Sequence, residues 1–424
     1  MSLFLMSLIF LVLFIVLYNS VRTPYFTPLL LTIIWLLYSI FNYIFNKDFL
    51  FFPAGIAYIS FSVILIMLGG IAGLFLANKY YDNNSKLISS NSINRSASGW
   101  HYLAIISSAL TLVGLIGLIR YSYQEFQLLN NAISLLILPQ EFAADRYGGI
   151  QYLPTNIKLL SYMIYPAAVS IGALVGGRFW RQWTRLIPIL LSLGYGIIYS
   201  SRTVVILTIV SLVSADWAIR VLTEKKAQPQ LKKLILFLSV AIFTFPIIFI
   251  MLQWLRQGLG SEFIFNEMIS IARTSMTGSI SAFTQWYHHY YAFGFDWGQN
   301  TFAGPFELLG FGERVQGFYL DFSHVGATDI NIYTAFRGLL QDYGYFGSMF
   351  FLFIFGFISA IVFYFVQKGW VALVPVLALL NGWVLFSPFI SLFVNNSIIA
   401  GYILFYIFSF YPFVSVQKFQ LDII

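Results

Sequence analysis

Long apolar runs dominate the hydropathy pattern of this chain. Runs of about 17 or more mostly apolar residues recur throughout the sequence, and a helix of that length crosses a hydrocarbon core of about 30 Å. The first run lacks a basic segment and a small-x-small cleavage site, so we interpret it as a retained span and not as a signal peptide. Eleven spans are predicted, at 2–18, 28–45, 52–77, 101–119, 155–176, 186–200, 203–220, 234–253, 345–366, 371–389 and 397–415. The expected fold class is all-α: one polytopic transmembrane helix bundle over residues 1–424.

The composition agrees with a chain that lies mostly in lipid. Of the 424 residues, 59% are hydrophobic and 9% are charged, whereas a soluble domain carries about 25% charged residues. The absence of cysteine excludes disulfides, thiolate metal sites and cysteine nucleophiles. We attribute the net charge of +7 to basic loops beside anionic lipid headgroups, so membrane lipids are expected partners and nucleic acid is not.

Basic clusters in two short loops predict the orientation. Arg178, Arg181 and Arg185 crowd one loop, and Arg220 and four lysines up to Lys233 crowd another. By the positive-inside rule both loops face the cytoplasm, which places the N-terminus outside. The alternation of spans then puts 14 of the 23 Lys and Arg residues, but only four of the 16 Asp and Glu residues, on the cytoplasmic side.

Three regions lie outside the predicted spans. The Ser- and Asn-rich stretch 78–100 is typical of a flexible linker. Residues 120–154 form a first outer loop, of which residues 126–138 are apolar enough to lie in the membrane interface. Residues 254–344 form a second outer loop whose length is uncommon unless the loop is functional or disordered, and its aromatic content argues against disorder. We therefore expect the functional site in this second loop.

Two amphipathic helices are predicted within the large outer loop. Asp329–Tyr343 has apolar residues at helical spacing, with Thr328 or Asp329 as its cap and Gly344 as its end. Glu267–Trp286 is the second helix and carries Arg273. Packing of both helices on the bundle explains their apolar faces, and the open question is whether their polar faces also line a cavity.

Arginines on the outer side are the candidate ligands for a phosphate group. Arg202 lies in the tight turn of YSSRTV, close to membrane depth, where a charge without a function is costly. A guanidinium pairs bidentately with phosphate oxygens and stays protonated, so several arginines that converge on one pocket would suit a lipid-linked pyrophosphate. The alternative is that each arginine reaches the headgroups or pairs with a nearby carboxylate. The large loop contributes Arg256, Arg273, Arg314 and Arg337.

Carboxylates, histidines and aromatic residues of the same loop are candidates for proton transfer and sugar binding. Asp321, His324 and Asp329 could accept a proton from a sugar hydroxyl, although a loop aspartate is more often a cap or turn residue. The aromatic run 286–291 could stack on sugar rings or belong to the aromatic belt of the membrane. His288 and His289 have no nearby acidic partner, so no metal site is expected. Nucleotide-binding motifs are also absent from the sequence, and an enzyme of this kind would use a donor that carries its own leaving group.

Three stretches give the chain a resemblance to a known family. They are GIIYSSRTVVILTIV, Arg256–Gly258 with ISIARTSMTGSISAF, and DINIYTAFRGLLQDYGYFGSMFFLFIFGFISA. With the hydropathy profile, they resemble the Wzy-type oligosaccharide repeat-unit polymerases over roughly residues 150–365. The resemblance implies a fold similar to the GT-C glycosyltransferases and the O-antigen ligases. It also implies a multi-pass protein of the bacterial inner membrane with its active site on the periplasmic face.

The resemblance further implies a reaction and roles for particular residues. Such enzymes transfer a growing glycan from undecaprenyl pyrophosphate to a lipid-linked acceptor without a metal or cofactor, and a chain-length regulator is a further expected partner. By matching position, Arg202 and Arg273 would hold the pyrophosphate, with help from Arg337 and Arg256. The stretch with Asp321, His324 and Asp329 would serve the acceptor. The expected glycan-binding residues are Tyr287, Asn331 and Tyr333.

One departure from the family pattern and two alternative functions bear on this interpretation. The repeated R-x10-G loop motif described for some of these polymerases is absent, so a pair of capture-and-release loops is not expected. An O-antigen ligase with a lipid A-core acceptor would use the same donor chemistry. A lipid or polysaccharide transporter would show inverted repeats and broken helices near the membrane midplane, and the two halves of this chain show no such similarity.

Overall fold

The computed structural model describes most of the chain as helix. The described residues are 2–21, 23–81, 90–125, 138–142, 153–223, 247, 250–252, 254–255, 265–290, 295–311, 319–326 and 328–421. About 81% of them are helical. The first eight named helices are α1 (Leu3–Val21), α2 (Thr27–Phe45), α3 (Pro53–Tyr81), α4 (Ser90–Glu125), α5 (Thr155–Tyr162), α6 (Ile164–Gly176), α7 (Leu186–Ile198) and α8 (Arg202–Thr223).

The remaining elements include a short β-hairpin. The later helices are α9 (Phe265–Thr277), α10 (Ser279–His288), α11 (Ala303–Leu308), α12 (Ala335–Gln367), α13 (Val374–Phe386) and α14 (Asn396–Leu421). Single 3-10 turns lie at Gln182–Arg185, Val371–Leu373 and Leu392–Val394. The antiparallel strands β1 (Ser323–Val325) and β2 (Thr328–Ile330) pair in the register Ser323 with Ile330 and Val325 with Thr328.

Seven helical segments in the described part of the chain are long and apolar enough to cross a membrane. They are Leu3–Val21, Thr27–Phe45, Pro53–Tyr80, Ile93–Gln124, Thr155–Gly176, Arg202–Thr223 and Ala335–Gln367. Val371–Phe386 and Asn396–Phe410 are apolar but shorter. A helix satisfies its own backbone hydrogen bonds in lipid. These seven segments therefore indicate that the chain is an α-helical membrane protein.

Seven of the eleven predicted spans correspond to these segments, 371–389 and 397–415 correspond to the two shorter helices, and 186–200 corresponds to α7, which has 13 residues. The predicted span 234–253 falls almost entirely outside the described residues. The linker prediction for 78–100 is wrong at both ends, since α3 continues to Tyr81 and α4 begins at Ser90. Ser and Asn are weak helix formers, but here they extend helices that membrane spans already nucleate.

By its internal contacts the chain divides into two compact units. The first contains Met1–Ser89, Arg220–Leu238 and Arg273–Asn396, and the second contains Ser90–Ile219, Ser239–Ala272 and Ser397–Ile424. In the second unit, Arg185 of the predicted cytoplasmic loop donates to Asp216 at 2.6 Å. The hydroxyls of Ser214 and Tyr402 are bonded at 2.6 Å. Buried polar pairs such as these join helices that are otherwise apolar.

Close packing of α3 against α12 forms the centre of the first unit. A Cβ atom on Gly69 would overlap the carbonyl oxygen of Phe353, and one on Gly356 would overlap the carbonyl oxygen of Ile66. Glycine at both positions allows the two backbones to touch, which is the usual way in which helices associate in lipid. This pairing fixes the helix that carries the site described next.

Candidate functional site

Arg337 lies in the first turn of α12, where aromatic rings surround its guanidinium. Only 1% of the residue is exposed. The Cζ atom is 3.9 Å from the ring centroid of Tyr319, 4.1 Å from that of Tyr333 and 4.6 Å from that of Trp286. Such distances are within the range of cation–π attraction, which is strongest when water is excluded. We call these four residues the Arg337 cage.

The hydrogen bonds of Arg337 leave one donor group free. Its Nη2 donates to the Oδ2 of Asp321 at 2.6 Å, and its Nε donates to the Oε1 of Gln341 at 3.3 Å. The buried Nη1 has no hydrogen-bond partner among the described residues. An unpaired buried donor is costly, particularly on a charged group. The arrangement therefore has the capacity to bind one further acceptor atom.

Asp321 is the accessible half of this ion pair. Its side chain is 66% exposed, whereas the side chain of Arg337 is 2% exposed. Burial raises the pKa of the Tyr319 phenol, so the nearest ring stays neutral at physiological pH and the carboxylate of Asp321 is the anion that balances Arg337.

The β-hairpin brings two predicted catalytic residues together. His324 pairs with Asp329 across the hairpin, and the Nδ1 of His324 is 2.9 Å from the Oδ1 of Asp329. Both side chains are exposed. The Gln285 amide on α10 donates to the carbonyl oxygen of His324 at 3.0 Å. A carboxylate that holds one ring nitrogen orients an imidazole for proton transfer through the other.

This hairpin corrects the helix prediction for Asp329–Tyr343. The helix begins at Ala335, and its N-cap is Thr334, so neither Thr328 nor Asp329 caps it. Residues 328–330 pair as a strand with Ser323–Val325 and so do not join the helix. The turn between the strands includes Gly326, with a φ of +64°. The predicted end at Gly344 is confirmed as a break in α12, where φ is 62° and ψ is −167°. The predicted helix Glu267–Trp286 is present as α9 and α10, which meet at Gly278.

The predicted glycan-binding residues have different environments. Tyr333 is buried, and its hydroxyl donates to the backbone oxygen of Asp321 at 3.0 Å, so it is a wall of the cage and not an open stacking surface. Asn331 is half-buried and donates to the carbonyl oxygen of Tyr319 at 3.4 Å. Tyr287 is half-buried in an aromatic cluster, 5.3 Å from the ring of Tyr58 and 6.1 Å from that of Tyr345.

Arg273 and Arg202 belong to other surroundings. Arg273 on α9 makes a bidentate pair with Asp48, at 3.1 Å from Nη1 to Oδ1 and 2.6 Å from Nη2 to Oδ2. Its charge is therefore already neutralised by a protein carboxylate. Arg202 is the first residue of α8, in the second unit, and follows a turn in which Ser200 has a φ of 53°. Arg256 and Arg314 lie outside the described residues.

Asp342 is a structural residue that the sequence analysis did not single out. Its buried carboxylate accepts hydrogen bonds from the backbone N–H groups of Asn300 and Thr301, at 2.9 and 2.6 Å, and from the Asn300 side-chain amide at 3.0 Å. Asp342 thereby binds the loop around residue 300 to α12. Tyr319 was missed as well. No local pattern marks either residue, since their partners are distant in sequence.

The described residues thus include a buried arginine with one unpaired donor in a neutral aromatic cage, and an accessible His–Asp pair on the hairpin that follows Asp321. Comparison of the chain with models of known protein families, with curated proteins and with solved structures found no match.

Proposed function

We propose that this protein is a membrane glycosyltransferase that polymerises lipid-linked oligosaccharide repeat units. In this proposal it transfers a glycan from an undecaprenyl-pyrophosphate donor to a lipid-linked acceptor on the periplasmic face of the bacterial inner membrane. The observation that carries the proposal is Arg337, whose buried guanidinium keeps one unpaired donor beside an accessible carboxylate. The resemblance of the surrounding sequence to the Wzy-type polymerases supplies the substrate class.

Arg337 fits the demands of a departing pyrophosphate. During transfer, the bond between the anomeric carbon and the pyrophosphate oxygen breaks, and negative charge develops on the oxygen. A guanidinium already held in a poorly hydrated site stabilises that charge without reorganisation. In this mechanism a phosphate oxygen takes the place of the Asp321 carboxylate on Nη2 and also satisfies Nη1. The pyrophosphate remains attached to its lipid as it leaves.

His324 fits the role of the base better than Asp321 does. The acceptor hydroxyl oxygen forms the new bond to the anomeric carbon and gives up its proton. Asp329 holds the His324 ring in place, whereas Asp321 loses its hydrogen bond to Arg337 when a phosphate oxygen displaces it. The imidazole can accept the proton through the ring nitrogen that Asp329 does not hold, which is the geometry that a general base requires. Attack from the face opposite the leaving group would invert the anomeric configuration.

The proposal gives Arg273 a smaller part than the sequence resemblance implies. A phosphate at Arg273 would have to displace the bidentate carboxylate of Asp48. At Arg273 the phosphate would have to replace two hydrogen bonds to Asp48, whereas at Arg337 it would replace one hydrogen bond to Asp321 and also satisfy Nη1. We therefore expect substitution of Arg273 to reduce polymer length less than substitution of Arg337.

Reconstitution in proteoliposomes with lipid-linked repeat units as the sole substrate tests the proposal. The wild-type protein is expected to produce a ladder of polymer lengths on a gel. The R337M variant is expected to lose at least 100-fold in rate, on the order of an electrostatic contact in the transition state. The H324A variant is expected to lose about 100-fold, on the scale of general-base catalysis. Arg181, which is exposed in the second unit, supplies the matched control R181A, and its ladder should equal that of the wild type.

The same assay separates the alternatives. Product formed only after a lipid A-core acceptor is added would identify a ligase. Movement of the lipid-linked unit between leaflets without a new glycosidic bond would identify a transporter. Wild-type ladders from R337M would refute the role of the Arg337 cage, provided that the variant is folded and inserted.

A further inference from the structure

Residues 295–311 expose a group of large apolar side chains. Phe295, Trp297, Leu308, Leu309 and Phe311 are each between 58% and 74% exposed. Single exposed apolar residues are normal, but a group within one short segment marks an interaction surface. We call residues 295–311 the platform.

Hydrogen bonds hold the platform against the start of α12. The backbone N–H groups of Asp296 and Trp297 donate to the carbonyl oxygens of Gln341 and Asp342, each at 3.2 Å. The Asp342 carboxylate binds the next turn of the platform through Asn300 and Thr301. The platform therefore has a defined position relative to α12 and is not a loose loop.

The platform adjoins the apolar part of α12. Phe295 contacts Gly344, where a Cβ atom would lie 2.6 Å from the Phe295 ring. Directly after Gly344, α12 exposes Phe346 (89%) and Phe350 (69%). These residues are four positions apart, so they share one face of the helix. Residues 345–367 contain no charged side chain, and this exposed face belongs to a helix that is long and apolar enough to cross a membrane.

Trp297 has an unusual backbone for an exposed residue. Its φ is 50°, a left-handed conformation that bulky residues rarely adopt. The hydrogen bonds to α12 hold the residue in this conformation while its indole remains uncovered. Tryptophan is enriched at the boundary between headgroups and acyl chains. An uncovered indole at the end of a lipid-facing helix is consistent with that boundary.

Polar residues of the platform complete an amphipathic pattern. Asp296, Gln299 and Glu307 are exposed beside the apolar residues. Charged groups at an interface stay at the headgroup level while apolar neighbours enter the acyl region. Trp297 and Leu308 each lie next to one of these acidic residues in the sequence.

From this continuity we propose that the platform is a membrane-inserting surface. Its occupant is the bilayer itself: Trp297 and Leu308 contact the acyl chains of the leaflet at the Gly344 end of α12, and Gln299 and Glu307 remain in the aqueous layer. The inference does not depend on the proposed glycosyltransferase activity, because it rests on exposure and on the attachment of the platform to a membrane span.

Spin-label accessibility in proteoliposomes tests this proposal. The chain contains no cysteine, so each single-cysteine variant of the full-length protein carries one nitroxide. W297C and L308C are compared with Q299C and E307C as matched neighbours, and F350C is the lipid-facing reference. Power saturation in phosphatidylcholine–phosphatidylglycerol vesicles then compares collisions with oxygen, which partitions into lipid, and with a water-soluble nickel chelate.

The expected result is an oxygen-to-nickel collision ratio at W297C and L308C that is several-fold higher than at Q299C and E307C and close to that of F350C. Nickel-dominated ratios at W297C and L308C, equal to those at Q299C and E307C, would place the platform in water and overturn the proposal. Low access to both reagents at W297C, with spin–spin broadening between labelled molecules, would identify a second copy of the chain as the occupant. A nickel-dominated ratio at F350C would remove the membrane attachment on which the inference rests.

Discussion

Truncation of Arg337 separates the contributions of its aromatic cage and of its ion pair. In R337A, the three rings within 4.6 Å lose their cation and the buried side chain leaves a cavity. Each cation–π contact contributes about 0.5–1 kcal/mol when exposed and about 2 kcal/mol when desolvated. The free energy spent on dehydrating the guanidinium, several kcal/mol, is recovered in part. These two terms nearly cancel, so the cavity dominates, and we expect a net loss of about 2–3 kcal/mol in the free energy of unfolding.

Loss of the ion-pair partner is expected to have a much smaller effect. The Asp321 side chain is 66% exposed, so solvent screens its charge and the pair contributes about 0.2–1 kcal/mol, as exposed pairs do. In D321N, the amide oxygen still accepts a hydrogen bond from the Nη2 of Arg337. R337M fills a similar volume without a charge, and such replacements of buried ions are nearly neutral. The expected order of destabilisation is R337A first, with D321N and R337M within about 1 kcal/mol of the wild type.

Unfolding of the purified variants in mixed micelles, by titration with a denaturing detergent, measures these differences. Near-ultraviolet circular dichroism reports the loss of aromatic packing, to which Trp286, Tyr319 and Tyr333 contribute. A D321N variant as unstable as R337A would show that the ion pair dominates, contrary to our reasoning. An R337M variant as unstable as R337A would show that the cage requires a cation and not merely a filled volume.

Three further predictions concern other parts of the first unit. D342A removes an acceptor of three hydrogen bonds and should lower the free energy of unfolding by about 3 kcal/mol, with faster proteolysis near residue 300. The control is D296A, which loses one side-chain hydrogen bond to Asn300. Equal proteolysis of both variants would contradict the role of Asp342. G356V should yield no folded protein in size-exclusion chromatography, because its side chain would overlap the α3 backbone at Ile66. The control G117A should elute as the wild type, because its Cβ would contact only Ile157, at an ordinary 3.5 Å. Burial raises the pKa of Tyr319, so the folded state favours the protonated phenol. The stabilisation present below about pH 10 is therefore lost as the pH rises above that value. Y319F should reduce this loss in detergent-unfolding titrations between pH 9 and pH 11, and an unchanged pH dependence of stability would contradict the raised pKa of Tyr319.

Hydropathy predicted the membrane helices well because transfer of a residue into lipid depends mainly on that residue and its near neighbours. Helical spacing also indicated the amphipathic helix that carries Arg337. The N-terminal limit of that helix was wrong, since residues 328–330 pair with a strand that local periodicity does not reveal.

Pairings between distant residues were beyond sequence reasoning. Arg273 binds Asp48 across 225 positions, and Asp342 binds Thr301 across 41. The identity of a charged residue indicates its chemistry, but folding decides its partner. Asp48 lies in the turn between two predicted spans, where nothing distinguishes it from other interface carboxylates. The convergence of Arg202 with Arg273 and Arg337 stays a prediction.

The break at Gly344 has a consequence for the length of any ligand. Arg337 lies seven residues earlier, which is about 10 Å along the axis of a helix that rises 1.5 Å per residue. The amphipathic turns before Gly344 and the apolar span after it belong to the same helix, α12, which is broken only at this glycine, where φ is 62°. The guanidinium therefore lies at a fixed distance from Phe346 and Phe350, the exposed phenylalanines that follow the break. If the proposed lipid-linked donor binds at Arg337, its pyrophosphate must lie about that distance from the part of the lipid that contacts these phenylalanines.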